Sequence, residues 1–135
     1  MTVTAIQIGL DPDVIDYSSP DFAQFPGLSK EKLRGANDDN VAGLRSAGYD
    51  VDNCLIDFGE AGAQKARQWL EAKQYDAVLI GAGVRLVARN TLLFESIVNA
   101  AHTTQPGCRF VFNYAATSTP DDVRRWYPHP EAVAR

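Results

Sequence analysis

Short apolar runs alternate with longer segments of helical periodicity along this chain. The run at 76–80 shows no regular alternation of polar and apolar residues, which is typical of a parallel strand covered on both faces. Four strands are predicted, at 3–10, 49–56, 76–80 and 109–114.

Helices are predicted between and after these strands, within 28–47 and 62–74, after Asn90 and after Thr119. In the second helical segment Ala66, Trp69 and Leu70 recur at helical spacing. Gly48 is a suitable C-terminal breaker for the first segment. The run 119–122 (Thr-Pro-Asp-Asp) favours a helix start, because it combines a capping hydroxyl, an early proline and two carboxylates near the positive end of the helix dipole.

Alternation of strand and helix predicts right-handed crossovers and a parallel sheet with helices on both faces. The expected fold is a single three-layer, doubly wound α/β domain with a flavodoxin-like strand order of 2-1-3-4. This domain would span 1–127, and 128–135 would form a frayed tail. The order places a topological switch point between strands 1 and 3, where such sheets bind ligands.

Composition narrows the possible partners of the domain. The 135 residues include 17 acidic and 13 basic side chains, a formal charge of -4, and no basic stripe with interleaved aromatics, so nucleic acid is not expected. No segment approaches ~18 uninterrupted apolar residues, so a membrane span is not expected. Cys54 and Cys108 lie far apart without a CxxC motif, which favours reduced thiols and a cytoplasmic location.

The segment 11–29, here called the flap, is long and unusual in composition. Three prolines and four aspartates share it with three aromatic residues. Ordered loops of this length often act as lids or binding loops. Two interpretations stay open: a cover for the edge of the core, or a lid that contacts a ligand.

The loop after strand 3 carries the main functional prediction. Gly81 and Gly83 permit positive backbone φ angles and close approach of a ligand, and Arg85 and Arg89 place positive charge near a helix N-terminus. The arginines could hold an anion, or they could pair internally with acidic side chains. We predict a site for a small anionic metabolite formed by Asp11, Gly81, Gly83, Arg85, Arg89, Asn90 and Asn113.

Strand 1 suggests an alternative function. The segment 8–14 (Ile-Gly-Leu-Asp-Pro-Asp-Val) resembles the D-x-D-x-[TV] opening of haloacid-dehalogenase-like phosphohydrolases. The resemblance implies that Asp11 is the nucleophile that attacks phosphorus and Asp13 the acid/base, with magnesium at the same strand end. No suitably placed lysine follows Thr117, the position offered for the family's hydroxyl residue.

No cofactor or resident metal is predicted from sequence motifs. The run 81–86 lacks the third glycine of a dinucleotide fingerprint and follows the third strand instead of the first. A phosphate-binding G-x-x-x-x-G-K-[ST] motif is absent from the sequence, as is any metal-ligand spacing. A third possibility is a non-catalytic interaction module that forms a homodimer through strand 4, using Trp126 and Tyr127.

Overall fold

The computed structural model of the chain describes residues 1–131. It contains a four-stranded, all-parallel sheet with the order β2-β1-β3-β4. The strands are β1 (Thr4–Leu10), β2 (Asp50–Ile56), β3 (Ala77–Ile80) and β4 (Arg109–Phe112). The predicted strand order and fold class, a flavodoxin-like α/β domain, are therefore confirmed.

Helices cover both faces of this sheet. They are α1 (Lys30–Ser46), α2 (Gly59–Ala72), the single turn α3 (Ala82–Arg85), α4 (Thr91–Thr104) and α5 (Thr119–Trp126). α1 begins at Ser29, whose hydroxyl accepts a hydrogen bond from the backbone N–H of Lys32 at 3.2 Å. It ends before Gly48, which adopts a φ of 99° and so confirms the predicted breaker. No helix within residues 1–131 is both long enough and apolar enough to cross a membrane.

The two faces hold separate cores. Side chains from β1 residues Ile6, Ile8 and Leu10 join those of α2 and α4 in the larger core. The alternate residues Val3 and Ala5 point to the opposite face. That smaller core includes Leu44 of α1 and Val123 of α5, with Tyr49, Val51, Ala77, Leu79 and Val111.

The segment after β3 differs from the predicted flexible glycine loop. It begins α3 directly, with Gly81 at a φ of -68° and a ψ of 155°. Positive φ angles occur instead at Gly27, Gly48 and Gly59. Gly81 and Gly83 therefore do not use the positive φ that glycine permits, because their backbones follow the ordinary path from a strand into a helix.

Within the predicted frayed tail, Pro130 and Glu131 make backbone contacts with the residues just before β1. The backbone N–H of Val3 donates to the carbonyl of Pro130 at 2.7 Å, and Thr2 forms an antiparallel bridge with Glu131. The remaining part of the predicted tail, 132–135, lies outside the described residues.

Candidate functional site

A cavity of about 160 Å³ lies at the carboxyl ends of β1 and β3. Its walls come from the flap, the inner side of α1, the start of α3 and the loop 113–119. We call it the rim cavity. It lies at the topological switch point between β1 and β3, where the connections that follow the two adjacent strands run in opposite directions.

Glycines keep the floor of the rim cavity open. A Cβ atom added at Gly9 would meet nothing within 4 Å, and Gly9 lines the cavity together with Gly81 and Gly83. At Gly83 an added Cβ would lie 3.3 Å from Leu10 Cδ1. The space above Gly9 therefore exists because this strand position has no side chain.

The flap forms one wall of the rim cavity and is fastened to the rest of the fold. Phe22, which is buried, and Phe25, which is half-buried, line the cavity from this side. The side-chain amide of Gln24 donates to the carbonyl of Leu86 at 2.9 Å, and Asp21 pairs with Arg89 at 3.2 Å. The flap thus covers the core edge and also forms the wall that an occupant of the cavity would touch.

Two buried amide side chains lie at the inner end of the rim cavity. Gln7, in the middle of β1, is 8% exposed, and Asn37 of α1 is 9% exposed. Gln7 Nε2 donates a hydrogen bond to Asn37 Oδ1. Among residues 1–131, Gln7 Oε1 and Asn37 Nδ2 are buried without a hydrogen-bond partner. We call these two side chains the amide pair.

Unpaired buried polar atoms are costly, which makes the amide pair informative. Leaving such a donor or acceptor unsatisfied costs about 1–3 kcal/mol. Native folds therefore pair nearly all buried polar groups with protein, water or ligand. The amide pair thus leaves one acceptor and one donor enclosed in the protein beside the rim cavity.

Other amides around the cavity are already used by the fold. Asn40, one turn beyond Asn37 on α1, donates to the carbonyl of Ala116 at 2.7 Å. Asn113 Oδ1 accepts from the backbone N–H of Ala82 and from Arg85 Nη1, both at 3.1 Å. These contacts fix the loop after β4 and the start of α3 around the opening.

The lining of the rim cavity is apolar apart from amides, a threonine and a tyrosine. Among the described residues, no Asp, Glu, Lys, Arg or His lines it. Leu33 of α1 and Leu55 of β2 contribute to the walls, as do flap residues such as Ile15 and Leu28. The electrostatic character of the cavity is therefore that of an uncharged, hydrogen-bonding site.

Arg85, the central cation of the predicted anion site, binds backbone and amide oxygens. Its guanidinium donates to the carbonyl of Ile80 at 2.9 Å and to the carbonyl of Asn113 at 2.8 Å, in addition to Asn113 Oδ1. It also lies over the ring of Phe112, 5.1 Å from the centroid. Burial lowers the pKa of Arg85, while Asp122 nearby acts to raise it. Arg85 thus ties the end of β3 to the segment after β4.

The remaining predicted site residues fall into separate groups. Arg89 is exposed and pairs with Asp21 of the flap at 3.2 Å. Asn90 is buried and donates its side-chain amide to the carbonyl of Gly83 at 2.9 Å, so it braces α3 and makes no capping hydrogen bond at α4. The structure brings Gly81, Gly83 and Asn113 to the cavity lining, but not the two arginines, Asn90 or Asp11.

Asp11 and Asp13, the residues of the phosphohydrolase alternative, lie at the start of the flap. Asp11 Oδ1 accepts from the backbone N–H of Asp13 at 2.9 Å, so it caps the short turn Pro12–Val14. Arg34 Nη2 lies 3.2 Å from a carboxylate oxygen of each, and Lys30 lies 3.7 Å from Asp13. Within residues 1–131 no three His, Cys, Asp or Glu side chains converge to hold a metal.

Cys54 is fully buried in the larger core, where burial raises the pKa of its thiol to about 11. A thiol that stays protonated at neutral pH is a poor nucleophile. His102 is exposed in the last turn of α4.

Three residues at the rim cavity were missed from the sequence: Gln7, Gly9 and Asn37. Gln7 and Gly9 interrupt the otherwise apolar strand β1 at alternate positions, so both face the same side of the sheet. Asn37 lies four residues after Leu33 on the inner stripe of α1, where an apolar residue is the usual choice. In both β1 and α1, the sequence signal that could have identified these residues was a polar residue or glycine at a position where the pattern predicts a buried apolar side chain.

The fold and the cavity are the basis for assigning a function to this chain. Comparison with protein-family models, with curated proteins and with solved structures gives no significant match.

Proposed function

We propose that this protein is a binding domain for a small metabolite, which it holds in the rim cavity beneath the flap. The observation that carries the proposal is the cavity itself, which lies at the switch point of a parallel sheet and is floored by Gly9. Ligands of doubly wound α/β domains bind beyond the carboxyl ends of the strands at this place.

The volume of the cavity limits the size of its ligand. A cavity of about 160 Å³ is close to the roughly 150 Å³ apolar cavity that accepts a benzene molecule in an engineered protein. A single ring with one small substituent is the size that fits. A dinucleotide or a flavin is too large to be enclosed.

An anionic ligand stays a prediction from the sequence. Arg85 is engaged with oxygens of Ile80 and Asn113, Arg89 pairs with Asp21, and Arg34 pairs with Asp11 and Asp13. An anion would have to compete with these partners, whereas an uncharged ring requires no such exchange. The cavity therefore favours an uncharged ligand.

The test compares two glycine substitutions. Gly9→Val places a branched side chain in the open space of the cavity, and β-branched residues suit a strand. Gly43→Ala is the matched control, because Gly43 is exposed on α1 and an added Cβ there also meets nothing within 4 Å. Each protein is screened by ligand-observed NMR against single-ring metabolites, small carboxylates and phosphates.

We expect binders of the wild-type protein that the Gly43→Ala variant retains and the Gly9→Val variant loses. Circular dichroism of the Gly9→Val variant establishes that its fold is intact. A set of binders insensitive to Gly9→Val would locate them elsewhere and contradict the proposal, as would the absence of any binder.

A homodimer through β4 is a second candidate, supported by the exposed aromatic side chains at this edge of the sheet. Phe112 is 40% exposed and stacks on Phe110, and Trp126 of the neighbouring α5 is 45% exposed. Sedimentation velocity of the wild-type protein should show a concentration-dependent dimer that Phe112→Asp abolishes. Leu92→Asp, at an exposed position of α4, should leave the dimer intact, and a monomer at all concentrations would eliminate this candidate.

The cytoplasmic location predicted from the sequence is part of the proposal. It is supported by the sequence, in which Cys54 and Cys108 lie far apart without a CxxC motif.

A further inference from the structure

Two side-chain oxygens at the rim cavity, Asn40 Oδ1 and Thr119 Oγ1, are left unused by the fold. Asn40 belongs to the third turn of α1, and Thr119 is the first residue of α5. We infer that the cavity takes an uncharged ring that carries a hydroxyl group, a ligand of the phenol class, whose hydroxyl bonds to these two atoms. This inference rests on the proposed function, since it describes the ligand of the same cavity.

The loop after β4 fixes the orientation of the Asn40 amide. Asn40 Nδ2 donates to the carbonyl of Ala116 at 2.7 Å, and a reversed amide would set two acceptor oxygens against each other. Asn40 Oδ1 can therefore only accept, and among residues 1–131 it has no hydrogen-bond partner. The side chain is 5% exposed and lines the rim cavity. A ligand that meets this oxygen must bring a donor.

Thr119 adds a hydroxyl group to the same part of the lining. The residue is 2% exposed, and its Oγ1 makes no hydrogen bond with any residue of the described range 1–131. Thr119 follows Ala116, the partner of Asn40, by three residues. Both oxygens therefore belong to the wall that α1 and the loop 113–119 form. A hydroxyl can donate and accept, so Thr119 can supply the donor that Asn40 Oδ1 cannot.

Accessible surface distinguishes these two atoms from the amide pair. Within residues 1–131, the unpartnered side-chain atoms that are enclosed by protein are Gln7 Oε1 and Asn37 Nδ2. Asn40 Oδ1 and Thr119 Oγ1 are unpartnered but not enclosed. Because each side chain is more than nine-tenths buried and lines the rim cavity, the space open to these atoms is the cavity.

A single hydroxyl group on the ligand meets both needs, because it can donate to Asn40 Oδ1 and accept from Thr119. The ring then lies against the apolar lining, which includes Phe22, Phe25 and Leu28. A carboxylate brings no donor for Asn40, and no charged side chain of the described residues lines the cavity to offset the desolvation of an ion. A phenol stays uncharged at neutral pH, because the pKa of such a hydroxyl is about 10.

Three probes of similar size separate these chemistries: phenol, toluene and benzoate. Phenol carries the hydroxyl, toluene has a methyl group in its place, and benzoate carries a negative charge. Dissociation constants are measured by NMR titration of the wild-type protein at neutral pH. We expect phenol to bind at least about tenfold more tightly than benzoate. Intermolecular NOEs should join the phenol ring to the Thr119 methyl group and to the Asn40 side-chain amide.

Thr119→Val exchanges the hydroxyl for a methyl group of nearly the same size and removes no hydrogen bond of the fold. Hydration of the free probes is the same in every titration, so the ratio of the toluene to the phenol dissociation constant isolates the contribution of the protein. This ratio should fall at least about fivefold in Thr119→Val, as loss of one net hydrogen bond predicts. Thr103→Val is the matched control and should keep the wild-type ratio, because Thr103 is exposed on α4 and does not line the cavity.

The outcomes distinguish the inference from the proposed function. An unchanged ratio in Thr119→Val overturns the inference, as does a benzoate affinity equal to that of phenol, but the cavity would still be a binding site. Phenol that fails to bind while another probe or metabolite binds has the same meaning. Phenol NOEs that reach neither Asn40 nor Thr119 overturn the inference in the wild-type protein, whether or not the variant folds. If no probe binds and the metabolite screen is also empty, the proposed function fails together with the inference.

Discussion

The face of the sheet under α2 and α4 is filled with apolar side chains, whereas the face under α1 and α5 stays partly empty toward the carboxyl ends of its strands. On the first face Ile6, Ile8 and Leu10 of β1 all pack into one core. On the second face the same strand presents Val3 and Ala5, then Gln7 and Gly9. One strand therefore contributes to a core on one side and presents Gln7 and Gly9 to a cavity on the other, a cavity whose lining Ile8 and Leu10 also join.

The difference shows how a small domain can pack a core on one face of its sheet and leave a cavity on the other. Alternation along a strand sends adjacent residues to opposite faces, so polar and glycine positions can be introduced on one side without opening the other. The larger core joins β1 to α2 and α4 through side chains that are almost fully buried. The smaller core supports the sheet beneath the cavity. Substitutions at neighbouring positions should therefore have very different consequences.

The largest expected contrast is between Ile8→Ala and Gly9→Ala. Ile8 is fully buried in the larger core, and truncating it should lower the free energy of unfolding by about 2–5 kcal/mol. An Ala Cβ at Gly9 meets nothing within 4 Å, and Ala is better than Gly in a strand by roughly 0.5–1 kcal/mol. Urea denaturation of both variants measures the contrast. Similar losses at the two positions would show that the face under α1 and α5 is as tightly packed as the other.

The amide pair should show strong coupling in a double-mutant cycle. Gln7→Met alone leaves Asn37 Oδ1 without its buried donor, which should cost about 1–3 kcal/mol. The double variant Gln7→Met/Asn37→Leu should recover most of this loss, because no orphaned amide remains and Leu is a better helix former than Asn. Additive losses in urea denaturation would mean that the two side chains do not act as a pair.

Arg85 should contribute to stability more than to ligand affinity. Arg85→Ala removes three hydrogen bonds to Ile80 and Asn113, so the free energy of unfolding should fall by about 1–2 kcal/mol. Arg85→Lys should recover only part of this, because an ammonium group lacks the planar fork that reaches several acceptors. The affinity for the ligands that Gly9→Val loses should be unchanged in both variants. Unchanged stability combined with loss of binding to a small carboxylate would restore the anion site predicted from the sequence.

The sequence pattern was sufficient to predict the sheet, but it did not predict which side chains meet around the rim cavity. Apolar runs and helical spacing predicted the strand order, and this order placed the site at the switch point. Gln7 and Asn37 are 30 residues apart in the chain, and their contact depends on how α1 rotates over β1. The partners of Arg85 are largely backbone carbonyls, which have no sequence pattern. Periodicity predicts which face a residue occupies, but it does not predict which side chains meet across two elements.

The smallest expected effect concerns Cys54, in the core under α2 and α4. It tests whether this core keeps a buried thiol protonated. Burial raises the pKa of its thiol to about 11, so the folded state favours the protonated form. The stability this confers is fully present below the thiol's ordinary pKa and is lost as the pH rises toward 11.

Between pH 8 and pH 10 the wild-type protein should therefore lose about 1 kcal/mol more than Cys54→Ala does, as measured by urea denaturation at each pH. Burial and the hydrogen bond to Asp52 also raise the pKa of Tyr75, and both proteins keep these two larger causes, whereas the smaller contribution of the Cys54 charge is lost in Cys54→Ala. The double variant Gln7→Met/Asn37→Leu should follow the wild-type pH dependence, because amides do not titrate. An equal alkaline loss in Cys54→Ala would mean that water reaches the thiol, and the face under α2 and α4 would then be no better sealed than the cavity side.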